Sequence, residues 1–225
     1  EVIQAAVSGA GVPMYSNLSS AEIGFSQTAE DYGKSKSDNA DTAKQMLATL
    51  GYKAGSDGVL VGKDGKRMEF KLSCTPTDET KRIAEDIQAQ LKDIGVQADI
   101  DIKDSDTIKS MTQAGTHQMI IWSYGLLDPN ILTYLFSSDR IGKSNRTRFN
   151  SPDLDKMLKD ADTTMDYTTR MQKVNAILTY LIDNRPNIPL FSHVVYAGYR
   201  NDLVAGLKFD KAANPQFQDA YMLKP

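Results

Sequence analysis

The 225 residues allow one large domain or two small ones, and 40% hydrophobic with 24% charged residues is ordinary for a globular chain. Lys and Arg number 26 against 29 Asp and Glu, a net charge of −3 that argues against a general nucleic-acid binder. No stretch approaches the ~20 apolar residues of a membrane span. A chain of this length buries roughly 70% of its unfolded surface and needs no disulfide or metal to hold a core.

The opening EVIQAAVSGAG reads as a helix with a glycine-rich exit at Gly9 and Gly11. It is expected to be the interior of a longer protein rather than a native N-terminus. Residues 11–39 carry neither helix nor strand periodicity and end in GKSKSDN, which predicts a long surface loop. Ala43, Met46, Leu47 and Leu50 then recur at i, i+3, i+4 and i+7 with Gly51 as the stop, an amphipathic helix over 40–50. Val59-Leu60-Val61 and the run Met68 to Cys74 flank GKDGK, whose Asp64-Gly65 pair predicts a hairpin.

The clearest unit follows. Thr77 suits a helix cap, with Asp78 and Glu79 at the positive end of the dipole. Ile83, Ile87, Leu91 and Ile94 form one stripe, and Gly95 ends it. Val96, Ala98, Ile100 and Ile102 then alternate as a strand. Strand, helix and strand with short connections predict a parallel βαβ crossover. A short helix over 105–114 comes next, and His117 to Trp122 is expected to be a buried third strand. Helices are predicted near 130–136, 151–161 and 166–182, the second announced by Ser151-Pro152-Asp153. A strand is expected over 188–196, and 215–225 shows little pattern.

The fold class is α/β, a mixed sheet with flanking helices. In such sheets ligands gather at the carboxyl ends of the strands. That directs attention to Ser123-Tyr124-Gly125-Leu126-Leu127-Asp128-Pro129, just past the third strand. The segment WSYGLLDPNILTYLF sets the only Trp, two Tyr and a Phe around a glycine-containing turn. Leu135 and Phe136 read as core, whereas Trp122 and Tyr124 fit a core or a ligand wall equally well.

Catalytic constellations are scarce. His117 and His193 are the only histidines, and neither has a partner at metal-ligand spacing, so neither a metal nor a cofactor is expected. Asp99, Asp101, Asp104 and Asp106 read as a solvated face, and Gly51, Gly55 and Gly58 as turn formers. Cys74 falls on the alternating run Met68, Phe70, Leu72 and reads as a small buried hydrophobe.

Six stretches in order carry a resemblance: AKQMLATLGYKAG (43–55), KDGKRMEFKL (63–72), KRIAEDIQAQLKDIGVQADI (81–100), Trp122 to Pro129, SNRTRFNSPDLDKMLKDA (144–161) and RPNIPLF (185–191). Together they resemble domain III of the family 5 solute-binding proteins, which bind oligopeptides, dipeptides, nickel chelates and some sugars. The resemblance implies that 1–225 is a single lobe of the periplasmic-binding-protein type II kind, the other lobe being absent. It further implies reversible capture of a small solute, docking to an ABC permease, a monomeric state, and a periplasmic or extracellular location with lipoprotein anchoring allowed.

By the same resemblance the ligand-facing residues are Trp122, Ser123, Tyr124, Gly125, Asp128 and His193, with Asp128 also suited to cap the next helix. The peptide-binding branch carries an Asp three residues after the Trp, where this chain has Gly125. Peptide is the default ligand by family frequency; Gly125 shifts weight toward a nickel chelate, an opine-like acid or another non-peptide solute. Arg146 and Arg148 match the segment before NSPDLD and are expected to form a structural ion pair rather than an anion site. An enzyme and a sensor lobe are the competing functional classes.

Overall fold

A computed structural model describes residues 1–37, 39–125, 130–210 and 214–223. The chain opens with α1 (Val2–Val7) and continues into β1 (Gly11–Pro13), α2 (Gln27–Ser35) and α3 (Ala40–Leu50). Next come β2 (Lys53–Ala54), β3 (Leu60–Val61), β4 (Glu69–Cys74), α4 (Asp78–Asp93), β5 (Gln97–Ile102), α5 (Ser105–Ala114) and β6 (Met119–Ile120). Helices α6 (Ile131–Phe136), α7 (Pro152–Asp162) and α8 (Tyr167–Asn184) follow, then β7 (Phe191–His193) and four two-residue strands, β8 to β11, between Val204 and Met222.

The expected crossover is present. β4 and β5 pair in parallel from Glu69↔Gln97 to Cys74↔Ile102, with α4 between them. The Thr77 hydroxyl accepts from the Thr80 amide, as a cap should, and Gly95 adopts the left-handed conformation that ends the unit. β6 joins the other side of β4, also in parallel, giving the order β5-β4-β6. Parallel and antiparallel pairs both occur in the α/β fold, in separate small sheets.

Two apolar clusters hold the chain. One face of the three-stranded sheet buries Leu72, Cys74 and Ala98 against Ile83 and Ala84 of α4 and Ala6 of α1. The Cys74 thiol is fully enclosed, and burial pushes its pKa up, the inert small hydrophobe expected. The second cluster sets Leu154 and Leu158 of α7 and Val174, Ile177, Leu178 and Leu181 of α8 against Ile131, Leu132 and Phe136 of α6. Ser151 caps α7, with Pro152 in its first turn.

Three expectations need correction. Residues 11–39 are not a loop: β1 pairs antiparallel with β7, and α2 packs into the second cluster through Ala29. The intervening turn is locked by Glu30, whose carboxylate accepts from the amides of Tyr15 (2.8 Å) and Ser16 (2.9 Å) and from the Ser16 hydroxyl. Leu18, between them, is fully buried. The third strand is shorter than 117–122 and lies at the sheet edge, bonded to β4 alone, so Met119 and Ile120 stay partly accessible. The hairpin forms at its turn end, with Gly62 N–H donating to the Lys66 carbonyl, Met68 N–H to the Leu60 carbonyl and Val61 bridging Arg67 antiparallel, while the two-residue ladder of β3 is with β2. The strand near 188–196 contracts to Phe191–His193.

Helix α3 forms where its stripe predicts, capped by Asn39, yet buries no residue: Met46 and Leu50 remain exposed. Among the described residues no helix is long and apolar enough to cross a membrane.

Candidate functional site

Because β4, β5 and β6 run in parallel, their carboxyl ends share one rim. Three segments leave it: Thr75 to Thr77 into α4, Lys103 and Asp104 into α5, and Ile121 to Gly125 after β6. Ile121 is buried, anchored by its N–H to the Ser73 carbonyl; Trp122 is half-buried, and Ser123, Tyr124 and Gly125 are exposed. The sequence thus brings these four residues out of the sheet edge together. Asp128 lies outside the described residues.

Arg146 gives this segment its geometry. Its guanidinium carbon lies 4.0 Å from the centroid of the Trp122 ring. Its Nε donates to the Tyr124 hydroxyl (2.9 Å) and its Nη1 to Thr112 Oγ1 (2.7 Å) on α5. The Thr112 hydroxyl in turn donates to the Lys109 carbonyl. Tyr124 is 42% exposed, and its hydroxyl lies beside Arg146. Burial pushes that hydroxyl above its ordinary pKa, with the neighbouring guanidinium pulling the other way.

The Arg146 backbone is fixed as firmly. Its carbonyl lies 2.8 Å from His117 Nε2. A carbonyl oxygen only accepts, so Nε2 carries the proton and Nδ1 is buried without a partner among the described residues. The preceding residue, Asn145, is almost completely buried, and its amide nitrogen reaches the carbonyls of Phe136, Ser137 and Phe149. Side chains from α5, the β6 edge and the 144–149 loop therefore converge on one cation. The expected ion pair is not there: among the described residues neither Arg146 nor Arg148 meets a carboxylate, and Arg148 Nη1 donates instead to the Gln113 carbonyl (3.3 Å). Sequence reasoning missed the Arg146 contacts, since no periodicity ties 146 to 122 or 112.

His193 ends β7, opposite Gly11. Its Nε2 lies 2.9 Å from Glu79 Oε1 in the first turn of α4, and its ring meets Phe191 edge-on. Glu79 follows closely on the carboxyl end of β4, so this bond draws His193 toward the same rim. Its partners are Glu79 and Phe191, neither of which belongs to the Trp122–Gly125 group.

Gly125 has open space where a Cβ would sit and does not adopt a left-handed conformation, so its backbone does not require glycine. Two shallow cavities lie elsewhere. One, of about 330 Å³, runs between β1 and α2 past Tyr15 and Phe25; the other, of about 510 Å³, sits at Gly65, Phe70, Asp99 and Gln118. Neither includes Trp122 or Tyr124. No group of three metal-ligating side chains occurs among the described residues.

The sequence profile of the bacterial extracellular solute-binding proteins, family 5 Middle, matches residues 1–144, and the chain belongs to that family. It is 29% identical over 158 residues to the oligopeptide-binding protein AppA of Bacillus subtilis (strain 168), a match covering 66% of this chain and 28% of AppA.

Among solved structures it is similar to HbpA2 of Haemophilus parasuis, with TM-score 0.82, 22% identity and coverage of 99% of this chain and 42% of that one. It is also similar to AppA in complex with a nonapeptide, with TM-score 0.70, 21% identity and coverage of 99% and 45%. NikZ of Campylobacter jejuni with Ni(L-His) gives TM-score 0.71, 18% identity and coverage of 85% and 38%. The lobe has the type II fold of periplasmic binding proteins, and the chain spans less than half the length of these relatives.

Proposed function

We propose that this chain is one lobe of the substrate-binding component of an ABC importer, which captures a small solute reversibly and hands it to a membrane permease. The observation that carries the reading is the family match over residues 1–144, across the parallel sheet whose carboxyl rim bears Trp122, Ser123, Tyr124 and Gly125. These four are the ligand-facing residues of this lobe, with His193, held by Glu79, and Asp128 as the further candidates. The family's extracellular description supports capture outside the cytoplasm; a monomeric state, with lipid anchoring allowed, belongs to the same proposal.

Binding without chemistry also fits the described side chains. His117 is committed to the Arg146 carbonyl and His193 to Glu79, so neither bonds a serine or a cysteine, and Cys74 is buried with its thiol pushed up. Peptides are the first ligand class to try, because the similar AppA is an oligopeptide-binding protein, and nickel chelates the second, because NikZ was solved with Ni(L-His).

Calorimetry of the complete protein against short peptides, nickel–histidine and simple sugars tests this. Saturable binding of one class with no turnover is expected. Chemical conversion of a peptide or ester probe, or no binding by any class, overturns the reading.

A further inference from the structure

Three acids of the rim have partners of their own. Asp101 pairs with Lys103 (3.0 Å), Asp104 caps α5 through Thr107, and Glu79 meets His193. Arg146 is half-buried, stacked on Trp122, and bonded to two neutral oxygens but to no described carboxylate. A cation partly withdrawn from water without a counter-charge is held at a cost, and the Trp122 face and two hydroxyl oxygens offset part of it.

Its hydrogen bonds are also incompletely used. A guanidinium carries five N–H groups, and here Nε and one Nη1 hydrogen are committed while Nη2 bonds no described residue. Tyr124 accepts from Arg146 and keeps its own O–H to donate. Ser123 adds an exposed hydroxyl one residue away. The group offers donors around a positive charge, and the planar fork of a guanidinium matches the two oxygens of a carboxylate.

We propose that Arg146, with Trp122 and Tyr124 behind it, is a carboxylate-recognition point, so that the solute captured by this protein carries a carboxylate. The inference rests on the receptor reading and specifies its ligand. It also assigns roles: Trp122 supports the cation with its ring face, and Asn145 and His117 act as positioning residues that fix the Arg146 backbone. A peptide C-terminus and a small organic acid share this chemistry.

The test uses the complete protein and matched probes, with thermal shift as a screen and calorimetry for affinity. Libraries of tripeptides and pentapeptides are offered as free acids and as C-terminal amides; succinate and glutarate are offered beside succinamide. Wild-type protein is expected to bind at least one acid ten-fold or more tighter than its amide. Preference among the acids separates a peptide end from an organic acid. Arg146→Gln is expected to erase the acid preference, and Arg146→Lys to retain part of it, with circular dichroism confirming that both fold.

Amides bound as tightly as acids by the wild type, or an acid preference that survives in Arg146→Gln, overturn the inference and leave the receptor reading standing. If Arg146→Gln does not fold, the wild-type ratio of acid to amide decides alone. Binding confined to solutes without a carboxylate, such as sugars, likewise overturns this inference alone. Absence of binding by every solute class removes the receptor reading and this inference with it.

Discussion

Gly33→Ala sets two physical effects of opposite sign against each other. In an exposed helix the change would stabilise by about 1 kcal/mol through helix propensity alone. At Gly33 in α2, a Cβ would run into the Tyr15 carbonyl, 2.8 Å from its carbon and 3.1 Å from the Tyr15 Cβ. Tyr15 cannot simply retreat, because its amide and that of Ser16 are held by Glu30 from the same helix. Relieving the overlap costs roughly 1–3 kcal/mol as overpacking, and about 1.5–3 kcal/mol more if a bond to the carboxylate breaks. With a bond to the Glu30 carboxylate lost, the net expectation is destabilisation by about 1.5–5 kcal/mol, or a melting temperature lower by roughly 3–20 °C for a chain of this size. Urea denaturation followed by circular dichroism measures the free energy, and differential scanning calorimetry the midpoint. A variant as stable as the parent, or more stable, would show that α2 is not seated on the 14–18 turn, and the close approach would have to be abandoned.

In the complete protein, Trp122→Ala should weaken ligand binding by about 1–3 kcal/mol, as for a buried aromatic anchor, while its loss under Arg146 costs stability by about 0.5–2 kcal/mol. A large fall in melting temperature with unchanged affinity would make Trp122 a core residue instead. Gly125→Asp should fold normally, since open space receives the side chain, and should shift preference from acids toward ammonium-bearing solutes; failure to fold, or unchanged preference, contradicts this. The hydroxyl and amide of Thr107 hold the Asp104 carboxyl below its ordinary value of 3.8, and those of Thr169 do the same for Asp166. Each therefore stabilises the fold above pH 3.8 and loses that contribution as pH falls through the depressed folded value. Asp104→Asn and Asp166→Asn should flatten acid denaturation curves in that range, and curves identical to the parent's would refute the linkage.

What the sequence made legible, and what it did not, follows from how each element is buried. Helix α4 and strand β5 were readable because large aliphatics at helical and alternating spacing meet the same core that the pattern implies. Helix α2 was not, because it enters the core through Ala29 and makes its closest approach through Gly33, residues whose small size leaves no apolar period. The run at 117–122 is apolar enough for an interior strand, yet the sheet ends at β6, and an edge strand was not distinguishable from a central one by composition. Pairing of β1 with β7 joins residues nearly the full chain apart, and nothing local announces it. Trp122 and Tyr124 were legible as candidates because they follow a strand end. The cation between them was not, since its contacts come from 112, 117, 122 and 124 at once.

That convergence bears on the discrimination that the proposed carboxylate site would exert. Arg146 has little freedom left: the Asn145 amide pins the loop from inside, His117 holds the carbonyl, and the guanidinium lies between an indole face and two hydroxyl oxygens. A long side chain normally loses much rotamer entropy when it engages a ligand, and here most of that loss is already incurred in folding. An oppositely charged group arriving at the remaining donors gains the attraction without ordering the cation first. A neutral isostere leaves the charge as uncompensated as before and gains only a hydrogen bond to it. The geometry therefore acts on the difference between ligands more than on total affinity, and rigidity of the 144–149 loop is a condition for that difference. Loosening the loop while keeping the guanidinium should shrink the preference for acids before it abolishes binding.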